Sequence, residues 1–458
     1  MGLAFFPRGG SAHVARNLAC RLGEVGWDVT VLTGSITHDD EPGDAREFYR
    51  GLDVRPQDFT RALGAPDPMR AEPPMHPSYE DRPGAPDRIF ASLDDSEYEH
   101  QVTSWCRALQ SVDAANADVL HLHHLTPIHE AAARVAPDVP VVGHLHGTEL
   151  LMLEAIGKDP QRWRHGEAWA ARMRAWAAGC ERIIVLSKGQ VARAEELLGV
   201  AEERCVLVPN GFDPRAFKPQ QVDRRAHWRR HLVDAPHGWA PGERPGSVRY
   251  EESDLDAFED DQGPTPVLLY VGRFTEVKRL PLLIEAYEDA RPGFARRAPL
   301  VVVGGFPGEW EGEHPLEAIR RTGAQDVFLA GWHGHDELPS FLAASDVVVL
   351  PSVREQFGQV LVEGMACGLP AIAVDAWGPA DIVAHGETGW LVEPDDPVSL
   401  ANALVYAVNC PRERARRGER AAAEASERYA WPALAEDVAG AYDAARGTAE
   451  GELLGAGA

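Results

Sequence analysis

The stretch Glu355-Gln356-Phe357-Gly358-Gln359-Val360-Leu361-Val362-Glu363 sets two carboxylates on either side of a helix start. The apolar run Val347-Val348-Val349-Leu350 before it reads as a buried strand, and the residues from Gly358 onward read as a helix. The first backbone N–H groups of a helix lack partners and carry the positive end of its dipole. Those of Phe357, Gly358, Gln359 and Val360 therefore suit an anion. Glu363 falls about five residues into the helix, roughly 7–8 Å along its axis. A nucleoside diphosphate spans a similar length, so Glu363 is expected at the ribose hydroxyls and Glu355 at the sugar end. The neighbours Val360, Leu361, Val362, Met365 and Ala366 are apolar, which makes an exposed Glu363 unfavourable.

Three further loops follow apolar runs. In Tyr270-Val271-Gly272-Arg273-Phe274-Thr275-Glu276-Val277-Lys278, Arg273 leaves the strand and Lys278 comes near the next helix. Departure of a nucleoside diphosphate develops negative charge, which needs fixed cations or a metal ion. Gly9-Gly10, after the first apolar run, allows a ligand close to the backbone. It does not match G-x-G-x-x-G, which argues against an NAD-dependent oxidoreductase. Val142-Gly143-His144-Leu145-His146-Gly147 ends a strand with two histidines, a place where histidine is commonly structural.

The elements needed to position these loops are legible as alternating strands and helices. Leu3 to Phe6, Val29 to Leu32, Val119 to Leu122, Val139 to Val142, Arg182 to Leu186 and Val206 to Val208 are short apolar runs with helical patterns between most of them. A second series has strands at Val267 to Val271, Leu300 to Val303, Val327 to Leu329, Val347 to Leu350 and Ala371 to Val374. Such βα alternation specifies parallel sheets covered by helices, and ligands then sit beyond the carboxyl ends of the strands. The chain is expected to be α/β, with domains at 1–212 and 213–430. A final amphipathic helix is expected at 431–446, and a small polar tail at 447–458 as disordered. Residues 35–97 and 235–263 interrupt the pattern and read as insertions. The first carries enough aromatic and aliphatic groups, among them Phe59, Tyr79 and Phe90, to dock as a cover over the acceptor side.

Composition narrows the partners. With 458 residues, 44% hydrophobic and 25% charged, the chain is long enough for more than one core. A formal charge of −26 opposes binding to nucleic acid or to anionic membrane surfaces. The basic, Trp-rich pattern from Arg162 to Arg182 places Trp169, Met173 and Trp176 at helical spacing, and reads as packing rather than membrane contact. Six scattered cysteines without metal-ligand spacing, and no secretory pattern at the start, point to a cytoplasmic protein. Asp254-Leu255-Asp256 lies in an acidic stretch that follows no apolar strand, so no metal site is assigned there.

Gly9-Gly10, His146-Gly147, Asn210-Gly211, Gly272-Arg273 with Lys278, and Glu355 with seven residues before Glu363 occur in this order. Together with Met365-Ala366-Cys367-Gly368-Leu369-Pro370-Ala371, they resemble the retaining GT-B glycosyltransferases of family four (glycosyl transferases group 1). The resemblance implies two Rossmann-like doubly wound domains facing a cleft, with the last helix crossing back to the first domain. It implies a hexosyltransferase that uses a nucleotide diphosphate sugar without a metal, by front-face displacement with retention. Arg273 and Lys278 would then bind the diphosphate, Glu363 the ribose, and Glu355 the transferred sugar. His146 would contact the donor sugar, and Gly9-Gly10 would approach the diphosphate. No cofactor is expected. The alternatives are a nucleotide-sugar-dependent disaccharide synthase and a GT-B-fold sugar-nucleotide epimerase. The base, the sugar, the acceptor and the oligomeric state stay open.

Overall fold

The computed structural model describes residues 1–7, 9–37, 43–79 and 87–456, with side chains of the last helix through Gly447. The chain forms two compact units, residues 1–210 with 431–458 and residues 211–430.

The first unit holds seven strands: β1 (Gly2–Leu3), β2 (Thr30–Ser35), β3 (Asp53–Asp58), β4 (Leu120–His123), β5 (Val141–His144), β6 (Arg182–Val185) and β7 (Cys205–Leu207). They pair in parallel in the order β3-β2-β1-β4-β5-β6-β7. A two-residue hairpin, β8 (Glu259–Asp260) with β9 (Gly263–Pro264), stands apart in the second unit. That unit's sheet has six parallel strands: β10 (Leu268–Gly272), β11 (Leu300–Gly304), β12 (Val327–Gly331), β13 (Val347–Leu350), β14 (Ala371–Val374) and β15 (Gly389–Val392). Their order is β12-β11-β10-β13-β14-β15. Both sheets reverse direction of growth once, between β1 and β4 and between β10 and β13. At such a switch point the connecting helices leave to opposite faces, and a crevice opens at the strand ends.

The segment 35–97, expected as an insertion, supplies a strand of the sheet itself. Asp53–Asp58 is the edge strand of the sheet, paired with β2 along its whole length. Its sequence, Asp-Val-Arg-Pro-Gln-Asp, has no apolar alternation, and Pro56 is tolerated because an edge strand bonds on one side only. Phe59, Met69, Met75, Phe90 and Leu93 are buried in the same core as Trp105 and Trp169. Residues 38–42 and 80–86 of this segment lie outside the described residues, as does Arg8 in the turn before Gly9.

The segment 235–263 is likewise built in: Trp239, Leu255 and Phe258 are buried, and the Trp239 indole donates to the Gly305 carbonyl at 3.0 Å. Gly389–Val392 is a strand that the alternation did not disclose. It is too short for a period and starts at a glycine whose Cβ would lie 2.2 Å from the Ala371 carbonyl.

Trp169 and Trp176 are buried in the helix Gly166–Ala178, and Phe90 stacks on Trp169 at 4.7 Å. The basic residues line the rest of that helix, so its tryptophans belong to the core. The last helix, Trp431–Ala456, lays Trp431, Leu434, Val438 and Tyr442 against Val14, Leu18, Val142 and Ile184 of the first unit. It continues through most of the residues expected to be a disordered tail, whose Ala, Glu and Leu are good helix formers. Residues 457–458 are outside the description. Among the described residues no helix is long and apolar enough to cross a membrane.

Candidate functional site

In the second unit, the loops after β10 and β13 meet across the switch point. Val353 N–H and the Ser352 hydroxyl both donate to the Val277 carbonyl, at 3.0 and 3.2 Å, which fixes the two loops to each other. This brings the Lys278 ammonium onto the Glu355 carboxylate as an ion pair, each side chain 18% exposed. An ammonium has three donors, so one bond to Glu355 leaves donors for a phosphate. Arg273 is exposed at the end of β10, and its carbonyl accepts the Tyr270 hydroxyl at 2.9 Å. Burial, with Glu355 adding to it, pushes the Tyr270 phenol up, so it stays a neutral donor.

The helix Gln359–Ala366 starts at Gly358, whose φ of 100° is open to glycine and which carries no side-chain cap. Its opening N–H groups are thus left to other acceptors. Glu363 is the fifth residue of this helix and only 2% exposed. It accepts hydrogen bonds from His335 Nε2 at 2.7 Å and from Gln359 Nε2 at 3.1 Å. Gln359 also donates to the Gly211 carbonyl at 2.7 Å. The carboxylate is held in one orientation by two side chains, and a buried acceptor so fixed is suited to hydroxyl groups.

Glycines keep side chains out of the same region. A Cβ on Gly304 would stand 2.1 Å from the Gly272 carbonyl, and one on Gly378 would stand 2.4 Å from the Phe357 Cα. Gly378 N–H donates to the Glu355 carbonyl at 3.1 Å, so the loop after β14 closes the cradle behind Glu355.

In the first unit, Gly9 and Gly10 start the helix Gly10–Glu24 without a side-chain cap, and a Cβ on either would meet open space. His146 sits after β5, before Gly147 and the helix Thr148–Lys158. It is part of a stack of rings: His123 Nδ1 lies 2.9 Å from His146 Nε2, and His121 bridges His144 Nδ1 at 3.1 Å and the Tyr442 hydroxyl at 2.6 Å. Burial holds the imidazoles of His121, His123 and His146 well below the usual histidine range, and His144 down to about 3. These rings are neutral at pH 7. Glu149, fully buried, accepts from the His146 N–H at 3.2 Å and pairs with His124 at 2.6 Å. His124 itself has φ 61°, a strained backbone at the carboxyl end of β4.

The residues singled out in the sequence thus fall into two groups. Arg273, Lys278, Glu355, Phe357, Gly358, Gln359, Val360 and Glu363 gather at one sheet edge of the second unit. Gly9, Gly10 and His146 lie at strand ends of the first. Sequence reasoning missed His335, Glu149 and Gly378. His335 follows β12 in a strand-end loop, so the rule that found Arg273 applied to it as well. The Asp254-Leu255-Asp256 carboxylates stand on an exposed turn, Asp254 accepting the Glu251 N–H at 2.7 Å and Asp256 near Arg225 at 3.8 Å.

Two doubly wound units, each with its ligand-type loops at a switch point, define a glycosyltransferase of the GT-B fold. The chain belongs to glycosyltransferase family four: residues 8–216 match the Glycosyltransferase Family 4 model and residues 253–424 the Glycosyl transferases group 1 model. It is 27% identical over 402 residues to a D-inositol 3-phosphate glycosyltransferase of Stackebrandtia nassauensis, covering 84% of this chain and 81% of that one. It is 24% identical to an N-acetyl-alpha-D-glucosaminyl L-malate synthase of Bacillus anthracis, covering 69% and 71%. Among solved structures, sucrose-phosphate synthase of Thermosynechococcus elongatus superposes with a TM-score of 0.67 at 20% identity, over 97% of this chain and 98% of that one. HepE of Anabaena, solved in complex with UDP-glucose, gives 0.64 at 18%, over 96% and 98%.

Proposed function

We propose that this glycosyltransferase takes its sugar from a nucleoside diphosphate sugar and transfers it with retention, without a metal ion at the diphosphate. The observation that carries this reading is the arrangement on the second sheet's edge. An uncapped helix start stands between the Lys278–Glu355 pair and the buried Glu363. The helix N–H groups and Lys278, with Arg273, would meet the diphosphate, and Glu363 would accept from the ribose hydroxyls. Glu355 would stand at the sugar. HepE's complex with UDP-glucose supports a nucleotide-sugar donor. The two curated relatives, by their names, act on small hydroxylated anions, which favours an acceptor of that kind here.

Glu363→Ala is expected to weaken binding of the matching nucleoside diphosphate by about 1.5–3 kcal/mol, the worth of hydrogen bonds to a charged acceptor. Calorimetric titration checks this, after a thermal-shift screen of UDP, GDP, ADP and TDP has identified the base. An unchanged dissociation constant would remove Glu363 from the nucleotide site.

Stereochemistry is the second test. The carboxylate assigned to the sugar end, Glu355, is tied up by Lys278, which makes it a poor nucleophile for a glycosyl-enzyme bond. Attack from the leaving-group face therefore accounts best for retention. An α-linked donor is expected to give an α-linked product, read from anomeric coupling constants, and a β-linked product would refute the proposal.

A further inference from the structure

A second histidine cluster lies away from the groups assigned to the diphosphate. His231 stands in the turn Arg230–Asp234 and is 6% exposed, while His333 and Glu337 follow β12. The ligand atoms of these three side chains all lie within 4.8 Å of one another. The His231 and His333 rings approach edge-on at 4.9 Å, and Phe341 forms an apolar wall against both, at 4.5 and 4.7 Å. His227 lies beside His231 at 4.6 Å with its Nε2 buried and without a hydrogen-bond partner. His237 stacks on the far face of the cluster, 4.6 Å from His333, and its Nδ1 is 3.3 Å from the Trp332 carbonyl.

The hydrogen bonds of His333 show what is missing. Its Nδ1 lies 2.9 Å from a Glu337 carboxylate oxygen and its Nε2 lies 3.3 Å from the Ala330 carbonyl. Both partners are acceptors, and a neutral imidazole has one N–H to offer them. With the proton on Nδ1 the ring donates to Glu337; with the proton on Nε2, Nδ1 and the carboxylate become two donor atoms that a cation can share.

We propose that His231, His333 and Glu337 bind one divalent transition-metal ion of the zinc class. Two imidazole nitrogens and a carboxylate oxygen are the donor set that such an ion prefers over magnesium or calcium, with water or His227 left to complete four-coordination. The ion ties the 224–234 segment to the segment after β12. The latter also carries His335, the donor to Glu363, so the metal braces the support of that carboxylate from outside. The trio His121, His123 and His144 is the other close group of this kind among the described residues. There the three imidazoles come without a carboxylate, and His121 Nδ1 is held from outside the trio by the Tyr442 hydroxyl at 2.6 Å, which leaves a hydrogen-bonded stack.

The test is titration of the full-length, chelator-treated protein with Co²⁺, followed by visible absorption. One equivalent is expected to give the intense bands of a four-coordinate ion, displaced by Zn²⁺, and Zn²⁺ alone is expected to raise the melting temperature. His231→Ala and the milder Glu337→Gln should each weaken Co²⁺ binding by at least about tenfold. His144→Ala should leave it unchanged. Absence of the bands at one equivalent, bands that persist with unchanged affinity in Glu337→Gln, or loss of them in a folded His144→Ala variant would overturn the site. Because metal binding is read directly, the outcome does not depend on the donor-site assignment.

Discussion

Replacing Lys278 with alanine is expected to lower kcat by about 10²–10³-fold, equivalent to roughly 2.7–4 kcal/mol. The reasoning is electrostatic. In the proposed reaction, charge on the diphosphate is largest as the bond to the sugar breaks, so a fixed ammonium is worth more in the transition state than in the bound donor. The variant also strands Glu355, 18% exposed, beside the departing phosphate, adding repulsion where attraction stood. The loss should therefore fall mainly on kcat, with donor affinity reduced far less. Arg273→Ala should act in the same direction. If two cations replace a metal ion, adding Mg²⁺ or Mn²⁺ to chelator-treated enzyme will leave kcat unchanged. A Lys278→Ala enzyme with normal kcat, or a wild-type enzyme that needs Mg²⁺ for turnover, contradicts this account.

The second large effect concerns residues 35–97. Phe90→Ala is expected to destabilise the first unit by about 3–5 kcal/mol, because Phe90 is fully buried against Phe5, Tyr79 and Trp169. For a unit of this size that corresponds to a fall in melting temperature of roughly 6–20 °C. Replacing residues 40–95 with a short Gly-Ser link should go further and prevent the unit from folding, since it removes β3 and the buried Phe59, Met69, Met75 and Phe90 together. A mere cover would leave a folded protein with a raised acceptor KM. Circular dichroism and thermal melting of the two variants separate the outcomes, and a cooperative, near-wild-type melt of the shortened chain would show the segment to be dispensable.

The difference between the two views of that segment has a physical origin. An edge strand pairs on one side and can be polar, so Asp53–Asp58 leaves no periodic trace. Its hydrophobic neighbours are spaced irregularly because they fill gaps in a core built mainly by other elements. The central strands, by contrast, are buried on both faces and must be continuous apolar runs, as Val347–Leu350 and Leu300–Gly304 are. Those were legible at once.

The same division runs through the candidate site. Residue type and spacing by themselves determined the α/β class, the central strands of the two series and the loops that bear Arg273, Lys278, Glu355 and Glu363, and they set the division at residues 212 and 213 where the structure has it at 210 and 211. They could do so because a strand followed by a glycine or charged turn and a helix is a local pattern, and the strand ends are where ligands bind. Only the tertiary structure decided that Lys278 pairs with Glu355, that His335 and Gln359 orient Glu363, and that Tyr442 reaches His121. It alone brought His231 to His333 and Glu337. These partners are 77, 28, 4, 321 and about 100 residues apart along the chain. Apart from the helical pair Gln359 and Glu363, no local rule relates their positions. What joins them is the parallel order of strands, which sets β10 beside β13 and the loop after β12 beside the helix Gln359–Ala366, and that order is fixed by packing over the whole unit.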